Sequence, residues 1–271
     1  MTEYSKDDIE ILIATMDRSD LMFLENIFNK SLTEISENVL IVNQSLNIEL
    51  TSSRENIRVI NDKGYGLSRS RNIAIENSRR PVLWILDDDC EIIQDTIEKL
   101  VIAHNSFEEA IVTFQTQRRE DDDPFWEYPD SSRLLSKIEL RNVLSPEITF
   151  KKNQFAQADL QFDKRFGLGA QFQDSENFIL FQDALSLNMQ IRFVPEYIVI
   201  HDAVTSSDEA DSNRLIYARG ALAGRENTLK AVYLNYKYTF FLWRKGFVRS
   251  FNTLLEKHTL FKKGIEDYRH S

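Results

Sequence analysis

Three adjacent aspartates, Asp87, Asp88 and Asp89, directly follow the apolar run at residues 82–86. An apolar run of this length is typical of a buried strand. Carboxylates at its end repel one another, and burying them without a partner is costly. The sequence therefore predicts that positive charge meets these aspartates where the strand ends. The alternative is an acidic turn that is fully solvated.

The elements that would position these carboxylates alternate between strands and helices. Five short apolar runs predict strands, at residues 9–15, 39–45, 56–60, 82–86 and 110–114. Three segments between or after them predict helices, at residues 20–32, 67–78 and 95–107. Strands that are apolar on both faces and alternate with helices indicate a mostly parallel α/β sheet covered on both sides. Because ligands of such sheets bind beyond the carboxyl ends of the strands, we expect residues 15–18, 43–45 and 87–89 to share one rim.

The second half of the chain is less regular. A turn-rich loop is expected at residues 118–130 and a helix at residues 175–188. Residues 189–202 read as two short strands on either side of Pro195, since proline interrupts strand pairing. Helices are expected from about residue 211 onward.

The composition, with 42% hydrophobic and 28% charged residues, is that of a soluble globular protein. A net charge of −10 argues against nucleic acid as a partner. No apolar run approaches the roughly 18 residues of a membrane span, and the first residues lack the pattern of a signal peptide. Cys90 is the only cysteine, which excludes an intrachain disulfide and predicts a cytoplasmic location.

Basic charge is concentrated near the C-terminus. Residues 225–263 contain nine Lys and Arg but two Asp and Glu, a local net charge of +7 against −17 for the remainder. Aromatic residues are interleaved with these cations over residues 231–251. One interpretation is an amphipathic helix lying on anionic lipid, as in a peripheral membrane protein. The other is a helix that packs on the catalytic domain or on a second subunit in a homodimer.

Four stretches, taken in order, resemble glycosyltransferase family 2, whose members have the GT-A fold. They are IATMDR, VNQS, GLSRSRNIAI with VLWILDDDCE, and FGLGAQFQDSENFILF with IRFVPEYIVIHD. The resemblance covers about three quarters of the chain, residues 9–202. It implies a Rossmann-like, mostly parallel sheet flanked by helices in a catalytic domain over residues 1–210. The nucleotide-sugar-binding half would be residues 1–115, the acceptor-binding half residues 116–210, and a helical C-terminal extension residues 211–271.

The resemblance implies a divalent metal, Mn²⁺ or Mg²⁺, that holds the diphosphate of the donor. Asp87 and Asp89 match the metal-binding DxD motif of the family, with Asp89 the preferred direct ligand, and Asp88 lies beside the nucleotide. His201 matches a further metal ligand, although a histidine at a strand end is often only a satisfied polar residue. Carboxylate oxygens independently suit both ions, and imidazole suits Mn²⁺ better than Mg²⁺.

The nucleotide-binding residues implied by the family include one departure. Asn43 and Gln44 stand where the family usually has an acidic pair that reads base and ribose, but their amides can still hydrogen-bond a uracil or thymine. Thr15 and Asp17 of the first loop are the other candidates. Arg71 matches a family arginine and would face the nucleotide, since guanidinium suits phosphate. The alternative for Arg71 is an ion pair with a carboxylate on the helix surface.

The general base is also implied by the family pattern, which places an acidic residue about 19 residues before a proline like Pro195. Glu176 stands at that position, followed by Asn177 where the family has an acid. Asp174 is the fallback candidate. A carboxylate at the start of a helix can also be a plain capping residue.

The resemblance thus implies a metal-dependent, inverting glycosyltransferase. It would move a hexose from a nucleoside-diphosphate sugar, preferably a UDP-hexose, to a hydroxyl of a glycan or lipid-linked acceptor in bacterial surface polysaccharide synthesis. A sugar-1-phosphate nucleotidyltransferase is one alternative, but it would need a glycine-rich basic loop where this chain has TMDRSD. A non-catalytic nucleotide-sugar-binding scaffold subunit is the other, favoured by Asn43, Gln44 and Asn177.

Overall fold

The computed structural model describes residues 3–202 and 210–271. Within these residues the strands are β1 Ile9–Met16, β2 Asn38–Gln44, β3 Ile57–Asp62, β4 Val82–Asp87, β5 Glu91–Ile92, β6 Ile111–Arg118, β7 Arg133–Leu134, β8 Ile148–Lys151 and β9 Ile191–His201. The α-helices are α1 Phe23–Phe28, α2 Leu67–Asn77, α3 Thr96–Ser106, α4 Lys152–Gln157, α5 Glu176–Ser186, α6 Asn213–Gly224, α7 Thr228–Arg244 and α8 Phe251–His270.

All the described strands belong to one mixed sheet in the order β3-β2-β1-β4-β8-β6-β9-β5, with β7 paired to β9. Strands β3, β2, β1 and β4 run parallel, and β6 runs parallel to β9. Strand β8 is antiparallel to both of its neighbours. The prediction of an α/β, mostly parallel sheet flanked by helices is therefore confirmed.

The central strands are buried on both faces because their apolar residues alternate between two cores. Ile11 and Ile13 of β1 pack in one cluster with Trp84 of β4. Leu12 and Leu83, each one residue out of phase, pack in the cluster on the opposite face. This alternation leaves no polar face for solvent and explains why the runs read as continuously apolar.

The register of the parallel strands determines where the functional side chains emerge. Thr15 of β1 lies opposite Asn43 of β2, and Ala14 lies opposite Asp87 of β4. The polar segments that follow these three strands therefore share one rim of the sheet, as the sequence predicted.

Residues 191–201 form one strand, so the prediction of two short strands around Pro195 is wrong. Between the pairs Thr113–Phe193 and Gln115–Tyr197, three residues of β9 lie opposite a single residue of β6. Pro195 lies in this bulge, where its missing N–H leaves no ladder hydrogen bond unmade. The strand therefore continues past the proline and delivers His201 at its end.

The C-terminal helices pack against the sheet and against one another. A side chain at Gly220 of α6 would lie 2.1 Å from the carbonyl oxygen of Phe261, and one at Gly264 of α8 would lie 2.2 Å from that of Tyr217. Only glycine allows this backbone approach. Ala218 of α6 belongs to the core cluster that packs on the sheet.

The predicted boundary between the catalytic domain and the C-terminal extension, near residue 210, adjoins residues 203–209. These residues lie outside the described residues, so the boundary stays a prediction.

None of the helices that the structure describes has both the length and the apolarity needed to cross a membrane.

Candidate active site

A cleft of about 460 Å³ opens beyond the carboxyl ends of the central strands. Six of the residues expected to act in the site line it: Asp87, Asp88, Asp89, Asp174, Glu176 and His201. The remaining five lie outside the lining: Thr15, Asp17, Asn43, Gln44 and Arg71. The structure thus brings the candidate metal ligands and both candidate bases to one cleft.

Each of the three adjacent aspartates meets a different cationic side chain. Asp87 Oδ1 lies 2.9 Å from Arg71 Nη2, Asp88 Oδ2 lies 2.8 Å from Arg18 Nη2, and Asp89 Oδ1 lies 3.5 Å from His201 Nε2. The partners come from α2, from the loop after β1, and from the end of β9. Mutual repulsion within the aspartate run is therefore offset locally, residue by residue, before any ligand is considered.

Arg71 links the end of β4 to the start of α5. Its side chain is only 2% exposed, and its Nη2 group donates to Asp87 and, at 2.6 Å, to Ser145 Oγ. Its Nη1 group donates to Glu176 Oε1 and Asn177 Oδ1, both at 3.2 Å. The expectation that Arg71 faces the nucleotide does not fit this position, because the guanidinium is buried and committed to protein acceptors.

The two candidate bases differ in their surroundings. Glu176 begins α5, and burial raises the pKa of its carboxyl, while Arg71 opposes the rise and Asp174 adds to it. Asp174 Oδ2 lies 3.0 Å from Arg219 Nε and accepts a hydrogen bond from the Ser175 hydroxyl. Raised proton affinity in a cleft is what a general base requires, and Glu176 shows it.

Asp89 and His201 form the pair best suited to hold a divalent ion. The hydrogen bond from His201 lowers the pKa of Asp89. Burial opposes protonation of His201, but contacts with Asp89 and with the Asp202 carbonyl raise its pKa to about 9. The His201–Asp89 distance of 3.5 Å is close to the roughly 3 Å that separates adjacent ligands around an ion bound at about 2.1 Å.

Cys90 completes the one close group of potential ligands among the described residues, since ligand atoms of Asp89, Cys90 and His201 lie within 4.8 Å of one another. Burial, with the charges of Asp87 and Asp89, raises the pKa of the Cys90 thiol well above its usual range. A protonated thiol is a poor ligand for a hard ion. The donor set therefore fits Mn²⁺ or Mg²⁺ through oxygen and imidazole, with Asp87 outside the close group.

The amides that replace the family's acidic pair are engaged with backbone. Asn43 Oδ1 accepts from the Arg18 N–H at 3.1 Å, and Asn43 Nδ2 donates to the Arg18 carbonyl. Gln44 Oε1 accepts from the N–H of Gly66 at 2.7 Å, and Gly66 has a φ of +123° that favours glycine. Both side chains therefore fix loops at the rim.

The first loop is ordered by the same kind of contact. Thr15 Oγ1 donates to Asp88, and Arg18 Nε donates to Thr15 Oγ1 at 3.2 Å. Asp17, with a φ of +52°, accepts from Ser45 Oγ at 2.6 Å. Sequence reasoning placed Thr15 and Asp17 at this rim but did not identify Arg18 as the partner of Asp88.

The cleft is also lined by residues that sequence reasoning missed, among them Trp126, Arg141 and Arg219. The Trp126 indole N–H is buried without a hydrogen-bond partner among the described residues. The Arg141 guanidinium lies over the Phe178 ring, 4.6 Å from its centroid. These residues follow no strand-end pattern, so the sequence carried no local signal for them.

Comparison with known families gives a match over part of the chain. Residues 41–169 match the family described as Glycosyl transferase family 2. The chain is similar to this family over just under half of its length. The matched residues include Arg71 and the three aspartates, and they end before Glu176. The resemblance inferred from the sequence is confirmed, and the match supports a glycosyltransferase over the nucleotidyltransferase and scaffold alternatives.

Solved structures of TarS from S. aureus share the fold. The structure of TarS 1-349 is 12% identical, with 96% of this chain and 89% of that chain covered and a TM-score of 0.57. Its complex with UDP-GlcNAc gives 12% identity, 96% and 80% coverage and a TM-score of 0.58. The longer TarS structure gives 14% identity, 87% and 43% coverage and a TM-score of 0.51. No curated protein sequence matches the chain.

The bridging role of Arg71 predicts a large loss of stability when its charge is removed. The Arg71→Met substitution should lower the free energy of unfolding by about 3–5 kcal/mol, because Asp87 and Glu176 lose their shared buried partner. Chemical denaturation measures the change. Arg69→Met is the matched control on the same helix: Arg69 pairs with Asp62 but is 43% exposed, so its loss should cost less than about 1 kcal/mol. Equal, small losses in the two variants would contradict the bridging role.

Proposed function

We propose that the chain transfers a sugar from a UDP-sugar to an acceptor hydroxyl with inversion at the anomeric carbon. The observation that carries the proposal is the placement of Glu176 in the same cleft as Asp87, Asp88 and Asp89, joined to Asp87 through Arg71. The proposed base for the acceptor and the proposed site for the diphosphate therefore share one cleft.

Glu176 is the proposed general base. The acceptor oxygen forms a bond to the anomeric carbon as the bond from that carbon to the diphosphate oxygen breaks, and the hydroxyl proton passes to the Glu176 carboxylate. Attack opposite the leaving group inverts the configuration. Arg71 positions Glu176 and favours its charged form, which offsets the effect of burial on its pKa. Asp174 is the lesser candidate, since Arg219 already engages it.

Asp89 and His201 are the proposed protein ligands of a divalent ion, with Asp87 beside them. When bound, the ion would supply Lewis-acid stabilisation of the departing diphosphate. The Asp89 side chain is 65% exposed at the cleft, so it is free to exchange its contact with His201 for a ligand. Deprotonation of His201 would accompany this exchange, as metal ligation requires.

The nucleotide would lie along the rim formed by β1 and β2. Thr15 and Asp17 are the proposed contacts to base and ribose. Asn43 and Gln44 would act through the loops they fix, and Asp88 through its contacts to Thr15 and Arg18. Uridine is the proposed base because the TarS structure of similar fold is a complex with UDP-GlcNAc.

The acceptor would be a growing glycan or a lipid-linked saccharide, with bacterial surface polysaccharide synthesis in the cytoplasm as the proposed setting. A surface on α7 and the turn after it suits a peripheral membrane contact. Six exposed apolar side chains repeat there at intervals of four and three residues: Leu229, Tyr233, Tyr236, Phe240, Trp243 and Phe247. The opposite side of α7 packs through Ala231 and Leu242.

The charge around these six exposed apolar side chains, here called the apolar stripe, indicates which partner they favour. Residues 227–255 contain five Lys and Arg and no Asp or Glu. A second copy would bring like charges together, whereas an anionic lipid surface offers opposite charge to the cations and an interface suited to Tyr and Trp. We therefore propose an anionic membrane surface, rather than a homodimer, as the partner of the stripe.

The membrane proposal predicts pelleting with liposomes. The fraction bound should rise with phosphatidylserine content and fall as salt rises, because the attraction is partly electrostatic. Replacing Phe240 and Trp243 with Ser should abolish pelleting, while Ile138→Ser, at another exposed apolar residue, should leave it unchanged. The proposal would be contradicted if the pelleted fraction did not change with lipid charge or salt. It would also be contradicted if light scattering showed a dimer that the double variant dissociates.

The metal proposal predicts that Asp89→Asn loses Mn²⁺-dependent UDP binding and keeps its thermal stability. Its stability should persist because Asp89 is exposed and its side-chain contacts are His201 and the Cys90 thiol. Calorimetric titration of UDP with and without Mn²⁺ measures the effect. Asp95→Asn, at an exposed turn residue with a φ of +62°, is the charge-matched control. Unchanged Mn²⁺-dependent binding in Asp89→Asn would exclude Asp89 as a ligand.

The base assignment predicts a loss of turnover without a loss of donor binding. Glu176→Gln keeps the size of the side chain and should slow transfer by about 10² to 10⁴. UDP affinity should stay near that of the wild type, because Asp89 and His201 hold the donor. Asp174→Asn is the matched variant two residues earlier and should retain most turnover. The reverse pattern would assign the base to Asp174.

A further inference from the structure

We infer that the acceptor carries an anionic group, a phosphate or a carboxylate, and that Arg141 and Arg219 bind it. The inference rests on the proposed function and specifies the substrate class of the same cleft.

The acidic side chains of the cleft have cationic partners within the protein. Arg71 meets Asp87 and Glu176. The other partners are Arg18 for Asp88, His201 for Asp89 and Arg219 for Asp174. Arg141 is different, since its guanidinium makes no hydrogen bond or ion pair with any residue in ranges 3–202 and 210–271. The cleft therefore holds a guanidinium whose donors are available to a ligand.

Packing holds Arg141 in place for such a role. Its guanidinium lies over the ring of Phe178, which is in the first turn of α5 together with Glu176. Stacking on an aromatic face orients the planar group and leaves its edge donors free. Because Arg141, Phe178 and Glu176 all line the cleft, a group bound to Arg141 would belong to the molecule whose hydroxyl Glu176 deprotonates.

Arg219 adds a second positive charge to this wall of the cleft. Burial lowers the pKa of Arg141, and the nearby charge of Arg219 lowers it further, with Glu226 acting in the opposite direction. Two guanidinium groups that line the same cleft repel each other, and a shared anion would relieve the repulsion. Guanidinium forks match the planar oxygens of carboxylate and the oxygens of phosphate, so both groups fit the site.

Two sources could supply the anion: the acceptor or the diphosphate of the donor. The acceptor is favoured because Arg141 stacks on the helix that carries the base, whereas the proposed diphosphate site is at Asp89 and His201. If the anion came from the acceptor, its binding would not compete with UDP. That difference makes the two sources separable by experiment.

The test is calorimetric titration of glycerol 1-phosphate and of glucuronate into the full chain, with glycerol as the neutral control. Each titration is made with and without saturating UDP and Mn²⁺. We expect an anion to bind in both conditions, glycerol not to bind, and Arg141→Gln to weaken binding about tenfold or more. Lys137→Gln, which removes the same charge from an exposed residue of the preceding loop, should change affinity less than twofold.

Three results would overturn the inference: no binding of either anion to the wild type, equal binding to Arg141→Gln, or loss of anion binding when UDP and Mn²⁺ are present. The last would assign the arginines to the donor diphosphate. If the proposed donor is wrong, the wild type will not bind UDP. The anion titration without UDP can still be interpreted in that case.

Discussion

A guanidinium buried among carboxylates is the interaction on which the cleft depends. Arg71 is almost fully enclosed, and it spans from Asp87 at the end of β4 to Glu176 at the start of α5. Removing either acid would leave a buried cation short of a partner, and removing the cation would leave two acids facing each other. One side chain of α2 therefore bridges the aspartate run and Glu176.

The features that the sequence predicted correctly depend on local patterns. Continuous apolar runs indicate strands buried on both faces, and parallel strands bring their carboxyl ends to one rim, so Thr15, Asn43 and Asp87 could be placed together. The positive charge expected beside the aspartates is present as well. Pro195 was misread because its effect depends on the pairing with β6. Within a bulge of its own strand it interrupts no pairing, and the bulge has no signature in the sequence.

The features that were missed depend on contacts between residues far apart in the chain. Arg71 and Glu176 are 105 residues apart, and Arg18 and Asp88 are 70 residues apart. A single sequence does not specify which charges pair over such separations. The same limit applies to Asn43 and Gln44, whose amides were expected to read the nucleotide but are engaged with backbone at Arg18 and Gly66. In such cases the family resemblance indicates which residues lie near the site, whereas the structure shows which residue each of them contacts.

Helix α6 joins two parts of the molecule at adjacent residues. Arg219 faces the cleft, where it meets Asp174, while Gly220 lies in the close crossing with α8. The crossing tolerates no side chain, so α6 cannot rotate or slide without disturbing the cleft wall. An exchange of residues 213–271 between two relatives would consequently transfer part of that wall along with the helices. Chimeras cut at this point would inherit the aspartate run and Glu176 from one parent and Arg219 from the other.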